Sequence, residues 1–184
     1  MAASPDRRVA VFCGSRLGSD PAFAEAARAF GALLGRRGVG LVYGGASVGT
    51  MGVLAEAALA AGAEVIGVIP RSVFQNEVAH RGLTKLHVVA SMHERKALMA
   101  QLSDGFVALP GGPGTFDELF EILTWRQIGL HDKPIGVVDV AGYFAPLRAL
   151  FDGVVRGGFA TTIPVDVLDA DPEKVLAAVL PVTG

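Results

Sequence analysis

Short continuous apolar runs alternate with helical segments along the whole chain, and no other feature restricts the fold as much. Val9-Ala10-Val11-Phe12-Cys13 leads through Gly14-Ser15 to a helix signal at Asp20-Pro21. Asp suits an N-cap, and proline in the first helical turn gives up only an N–H that the helix leaves unused. Phe23, Ala27, Phe30 and Leu34 then recur at helical spacing, and Arg36-Arg37-Gly38 supplies a stop. The same grammar returns. Leu41-Val42-Tyr43 passes through a glycine-rich loop to a helix ending near Ala61-Gly62, and Val65 to Ile69 is a strand stopped by Pro70. His87-Val88-Val89 precedes a helix of about Met92 to Leu102, and Phe106 to Leu109 precedes one of about Thr115 to Ile128. Ile135 to Val138 leads to a helix around Phe144 to Val155, and Val165 to Leu168 to a final helix from Pro172. Strands that are apolar throughout, alternating with helices, predict an α/β fold in three layers, with a mainly parallel sheet of about seven strands covered on both faces. Ligands of such sheets bind beyond the carboxyl ends of the strands. The loops beginning at Gly14, Gly44, Pro70, Ser91 and Pro110 are therefore the ones expected to matter.

No repeat, low-complexity tract or charge block divides the 184 residues, so one domain over 1–184 is expected. With 51% hydrophobic and 18% charged residues the chain is not a disordered one. A formal charge of −2 argues against a general electrostatic nucleic-acid binder. Cys13 is the only cysteine, which excludes an intrachain disulfide. The four histidines show no metal-ligand spacing with each other or with Cys13, so no metal is expected. Mean hydropathy is high, at +0.46. Yet the longest uncharged run, Gly38 to Ala55, carries six glycines in 18 residues and reads as strand, loop and helix start, not a membrane span. The opening Met1-Ala2-Ala3-Ser4-Pro5-Asp6-Arg7-Arg8 lacks the apolar core of a signal peptide, and a cytoplasmic protein is expected.

Three segments carry chemistry. Gly44-Gly45-Ala46-Ser47-Val48-Gly49-Thr50-Met51-Gly52 spaces Gly44 and Gly49 like a phosphate-binding loop of NTPases, but Thr50 stands where that motif needs lysine. Its glycines suit either close packing or close approach to a ligand. Pro110-Gly111-Gly112-Pro113-Gly114-Thr115-Phe116-Asp117-Glu118 sits between a strand and a helix, where backbone N–H groups and the helix dipole favour an anion. Thr115 and Glu118 also have capping-box spacing, so Glu118 has a purely structural reading as the partner of the Thr115 N–H. Asp117, Glu118 and Glu121 crowd one face of this helix, opposite Phe116, Leu119, Phe120 and Leu123 at core spacing, and this acidic face is expected to point away from the packing.

The third segment is Ser91-Met92-His93-Glu94-Arg95-Lys96. A Ser91–Glu94 capping box would place Arg95 and Lys96 in the first turns of a helix, where cations oppose the dipole. Either the two are a solvated surface pair, or they face an anionic ligand or the acids of the other loop. Among the remaining candidates, Cys13, Tyr43 and Trp125 read most simply as core, and His80, His87, His93 and His131 as structural or surface residues.

Together these segments resemble the Lonely Guy family, the cytokinin riboside 5′-monophosphate phosphoribohydrolases, often mislabelled lysine decarboxylases. The resemblance runs from Phe12-Cys13-Gly14-Ser15 through Val42-Tyr43-Gly44-Gly45, Gly67-Val68-Ile69-Pro70 and Met92 to Lys96. It continues through Pro110 to Glu118, Leu123-Thr124-Trp125 and His131-Asp132-Lys133-Pro134. The Pro-Gly-Gly-x-Gly-Thr-x-x-Glu pattern combined with the Arg-Lys pair is its diagnostic part. The resemblance implies a Rossmann-like fold, usually dimeric and without a cofactor, that hydrolyses the N-glycosidic bond of a purine nucleoside 5′-monophosphate. By the family's pattern Glu118 and Arg95 are catalytic. Ser15, Gly44, Gly45, Glu77, Met92, Lys96, Gly111, Gly112, Gly114, Thr115, Asp117 and Thr124 bind substrate. Asp117 departs from the pattern, since many relatives carry Glu there. Two further readings stand beside this one. One is a non-catalytic nucleotide or cofactor carrier on the same fold. The other is a pyridoxal-phosphate decarboxylase, for which Lys96 is the only lysine in a plausible site.

Overall fold

The carboxyl ends of the strands, where the five expected loops begin, gather along one edge of a seven-stranded sheet in the order β4-β3-β2-β1-β5-β6-β7. The computed structural model describes residues 5, 7–74 and 79–180. The strands are β1 (Arg8–Phe12), β2 (Gly40–Tyr43), β3 (Val65–Pro70), β4 (Lys85–Val89), β5 (Gly105–Ala108), β6 (Ile135–Val138) and β7 (Val167–Asp169). All neighbouring pairs are parallel. The helices are α1 (Pro21–Arg36), α2 (Gly49–Ala60), α3 (Arg71–Phe74), α4 (Met92–Gln101), α5 (Pro113–Gln127), α6 (Ala145–Arg156) and α7 (Pro172–Val179). From β1 the chain builds outward to β4 on one side, then returns through β5 to β7 on the other. The order reverses at the β1/β5 pair, which opens a crevice there.

Alternate strand residues feed two cores. Val9, Val11, Leu41, Tyr43, Val65 and Val107 pack under α1, α2 and α7, while Ala10, Phe12, Val42, Ile66, Phe106 and Val137 pack under α4, α5 and α6. Burial on both faces is why these strands read as unbroken apolar runs. The helix starts follow local chemistry. Asp20 Oδ1 accepts from the Ala22 N–H at 2.9 Å and Asp171 Oδ1 from the Glu173 N–H at 2.9 Å. At α4, Ser91 Oγ accepts from the Glu94 N–H at 3.1 Å while Glu94 reaches back to the Ala90 N–H at 2.7 Å, so the expected cap forms one residue further back than a standard box. The last strand is shorter and later than expected, since the Val165 N–H turns back to the Ile163 carbonyl at 2.8 Å and pairing with β6 begins at Val167. Among the described residues no helix is long and apolar enough to cross a membrane.

Candidate active site

A cleft of about 230 Å³ lies at the carboxyl ends of β1, β2 and β3 beside the crevice, and the start of α5 forms one wall. Four of the five expected loops supply that lining, through Gly14 and Ser15, Gly44, Pro70, and Gly112 to Thr115; Met92, first residue of α4, represents the fifth. Helix α5 begins at Pro113, two residues before the expected start, with Gly112 as N-cap and no side chain capping it. The Thr115–Glu118 capping box is therefore not formed. With Pro113 in the first turn, Thr115 is already inside the helix and donates its N–H to the Gly112 carbonyl at 3.0 Å. Its hydroxyl is buried and finds no hydrogen-bond partner among the described residues, although Thr115 lines the cleft. An uncapped helix start with an orphaned hydroxyl beside it is a place for an anion.

Glu118, released from capping, turns inward. Its Oε1 accepts from Arg95 Nη1 at 2.8 Å, and both side chains are about nine-tenths buried. The acidic face thus does not point away from the packing as a whole: Asp117 is exposed, Glu121 half-buried and Glu118 buried. Arg95 is likewise no solvated surface residue. Its Nε donates to the Val68 carbonyl of β3 at 3.0 Å, so strand and carboxylate together fix the guanidinium plane. Burial pushes the Glu118 carboxyl up to about 7, with Asp117 adding to the rise and Arg95 and Lys96 opposing it. A buried ion pair is weak in stabilising a fold, because desolvation offsets the attraction, and its placement in a cleft points to chemistry.

Lys96 takes the neighbouring acids. Its Nζ lies 3.0 Å from Asp117 Oδ2 and 3.1 Å from Glu121 Oε2. Burial lowers the affinity of the amine for its proton, but bonds and charges from both carboxylates outweigh it and hold the amine above its ordinary range. The two cations opposing the α4 dipole are accordingly offset by acids on α5.

The first glycine cluster serves packing at several positions, and Gly44 also lines the cleft. A Cβ on Gly44 would stand 2.1 Å from Arg95 Nη2 and 2.8 Å from Met51 Sδ, so the absent side chain makes room for the guanidinium. Gly49 opens α2 at φ +64, and its bare Cα lets the Ser15–Arg16 backbone approach to within 2.3 Å of where a Cβ would sit. Gly45 is buried beside Ile69 and Leu86, outside the cleft lining.

The remaining candidates separate. Ser15, Met92, Gly112, Gly114 and Thr115 line the cleft with the ion pair; Gly111 lines the adjoining groove on the far side of the loop. Lys96 and Asp117 bind each other outside the lining. Thr124 is exposed and donates its hydroxyl to the Phe120 carbonyl at 2.7 Å. Glu77 lies outside the described residues. Cys13, read as core, is buried but also forms part of the cleft floor; burial raises its thiol to about 12, which leaves it un-ionised. Tyr43 is core, as expected, whereas Phe120 is 39% exposed despite its core spacing. Sequence reasoning missed Tyr143, whose hydroxyl reaches the Gly111 carbonyl, and the Val68 carbonyl, since neither has a motif.

A family profile described as "Possible lysine decarboxylase" matches residues 51–179. The chain is 49% identical over 156 residues to the cytokinin riboside 5′-monophosphate phosphoribohydrolase of Rhodococcoides fascians, spanning 84% of this chain and 79% of that one. It is 42% identical over 166 residues to cytokinin riboside 5′-monophosphate phosphoribohydrolase LOG1 of Arabidopsis thaliana, over 90% of this chain and 78% of the relative. The chain belongs to the Lonely Guy family. Among solved structures, the molybdenum cofactor carrier protein of Chlamydomonas reinhardtii superposes with a TM-score of 0.73 at 23% identity, over 96% of each chain. That likeness establishes the Rossmann-like fold for this Lonely Guy chain and nothing more. The decarboxylase wording of the profile would require a lysine that gives up its proton to form a Schiff base. Lys96 does not fit, because two carboxylates hold its proton on.

Proposed function

We propose that this chain hydrolyses the N-glycosidic bond of purine nucleoside 5′-monophosphates, N6-modified adenosine monophosphates among them, releasing the free base and ribose 5-phosphate. The buried Arg95–Glu118 pair, brought from α4 and α5 to the wall of a cleft that ends in a helix N-terminus, carries the reading. Breaking the C–N bond builds positive charge on the sugar and negative charge on the base. Glu118, ionised, stabilises that cation and orients the water whose oxygen bonds to the anomeric carbon. Arg95, a guanidinium with donors and no acceptor, acts electrostatically, on Glu118 and on the departing base. The base leaves with the bonding electrons and takes up a proton, while the water loses one. The Gly112 and Gly114 N–H groups and the orphaned Thr115 hydroxyl hold the phosphate, and that remote binding orients the ribose.

The reading includes a homodimer. Thr124 shares an exposed α5 face with Phe120 and continues toward Ile128 and Leu130, which are 64% and 68% exposed. Thr124 does not line its own cleft, so it meets substrate if a second copy packs on this face. The cytoplasm, which holds the nucleoside monophosphate pool, is the compartment this reading assigns.

The test is incubation with AMP and with prenylated AMP. Base and ribose 5-phosphate are expected in equal amounts, with the monophosphate turned over faster than adenosine. Glu118→Gln is expected to lower kcat by roughly 10²–10⁴-fold while AMP still binds. Binding of AMP without release over hours would favour the carrier reading instead.

A further inference from the structure

Tyr143 reaches the glycine-rich loop from outside the cleft. It follows a short 3₁₀ turn, Val140–Gly142, in the connection between β6 and α6. Ala141 in that turn has φ +52, a left-handed conformation that no other non-glycine among the described residues adopts. Such a conformation persists where surrounding contacts enforce it. Here Asp139 Oδ1 accepts from the Phe144 N–H at 2.8 Å, closing the turn. The Tyr143 ring is then locked on three sides, stacked on Phe116 at 6.4 Å and edge-on to Phe23 and Phe144 at 5.4 and 5.0 Å. From this socket its hydroxyl donates to the Gly111 carbonyl at 2.5 Å.

The consequence follows from peptide geometry. In a planar trans peptide the carbonyl of one residue and the N–H of the next point in opposite directions. The Gly111 carbonyl is drawn toward Tyr143, which lines the adjoining groove and not the cleft, so the Gly112 N–H is turned away from Tyr143; Gly112 itself lines both groove and cleft. Glycine at 111 and 112 leaves this peptide free to rotate, and a donor that must meet an anion needs an external anchor. We infer that Tyr143 is a positioning residue for the phosphate subsite: its hydroxyl holds the Gly111–Gly112 peptide so that the Gly112 N–H addresses the substrate's phosphate. The inference rests on the nucleotide reading above only in taking phosphate as the anion.

Tyr143→Phe keeps the ring and its packing and deletes only the bond. The variant is compared with the native protein by calorimetric binding of inorganic phosphate and of AMP, by kcat and KM on AMP and adenosine, and by Tm. Phosphate and AMP dissociation constants and the KM for AMP are expected to rise roughly 3- to 10-fold. The kcat on AMP and the kcat/KM on adenosine, which has no phosphate, are expected to stay within about twofold. Phe23→Leu, which loosens the same ring cluster and leaves the hydroxyl, is expected to lower Tm and to weaken phosphate binding less than Tyr143→Phe does. Unchanged anion affinity in Tyr143→Phe, equal loss on AMP and adenosine, or no measurable anion binding by the native protein overturns the assignment. Because calorimetry needs no turnover, a native protein that binds AMP without releasing adenine refutes the hydrolase reading and leaves the Tyr143 comparison decisive.

Discussion

The guanidinium of Arg95 occupies space that a single methyl group would contest. A Cβ at Gly44 would lie 2.1 Å from Nη2, and the atom forced to move is the end of a side chain, not backbone. Gly44→Ala is therefore expected to fold and to shift the guanidinium off Glu118. Displacements near 1 Å at reacting groups cost about 10²-fold in rate, and kcat/KM on AMP is expected to fall by that order, with a lower Tm as the buried charges part. A kcat/KM within a factor of two of native would show that Arg95 has slack. The same contact explains why the glycine cluster looked ambiguous in one dimension. Only the neighbour reveals whether a missing side chain serves a ligand or another residue.

Helices α4 and α5 meet through two charge pairs, Arg95–Glu118 within the cleft and Lys96 between Asp117 and Glu121 outside it. The outer pair acts on the inner one, for Asp117 raises the Glu118 carboxyl and Lys96 lowers it. With Glu118 near 7 and active as a carboxylate, kcat/KM is expected to climb with pH through about 7, well above the ordinary carboxylate range. Asp117→Asn is expected to move this acid limb down by about a few tenths of a pH unit, and Lys96→Met to move it up. Limbs that stay together in the pH profiles would mean that the outer pair only joins the helices. The sign for stability is the reverse of that for activity. Since folding raises the Glu118 carboxyl, its contribution is whole below the ordinary carboxylate range and is lost as pH climbs through about 7.

At the scale of the molecule, the sheet order places the crevice and the cleft on one edge, and Phe120 of α5 is exposed together with Ile128 and Leu130 just after that helix. If a second copy covers these residues, the particle mass in sedimentation is twice 19.0 kDa. Phe120→Glu is then expected to yield monomers with a base-release rate at least about tenfold lower, because each cleft would lose the partner's Thr124. A fully active monomer would refute the shared site.

Much of this arrangement is legible in the amino-acid sequence. Strand and helix order, the parallel sheet and the five loops at its functional edge follow from local periodicity, glycine and proline punctuation and the topology of βαβ units. The pairing of acid and guanidinium was one of two readings the residues left open, and resemblance to a family singled it out, because the residues lie 23 positions apart on different helices. Spacing alone left Glu118 between a cap and a cleft residue, and Arg95 between a solvated surface residue and one facing an anion or the acids of the other loop. Tertiary structure decided both, and also Gly44, Phe120 and Tyr143. Sequence fixes what each segment prefers by itself, through backbone sterics and burial of apolar stripes. Which buried charge finds which partner, and which carbonyl an aromatic hydroxyl restrains, depends on distances between elements that only packing sets.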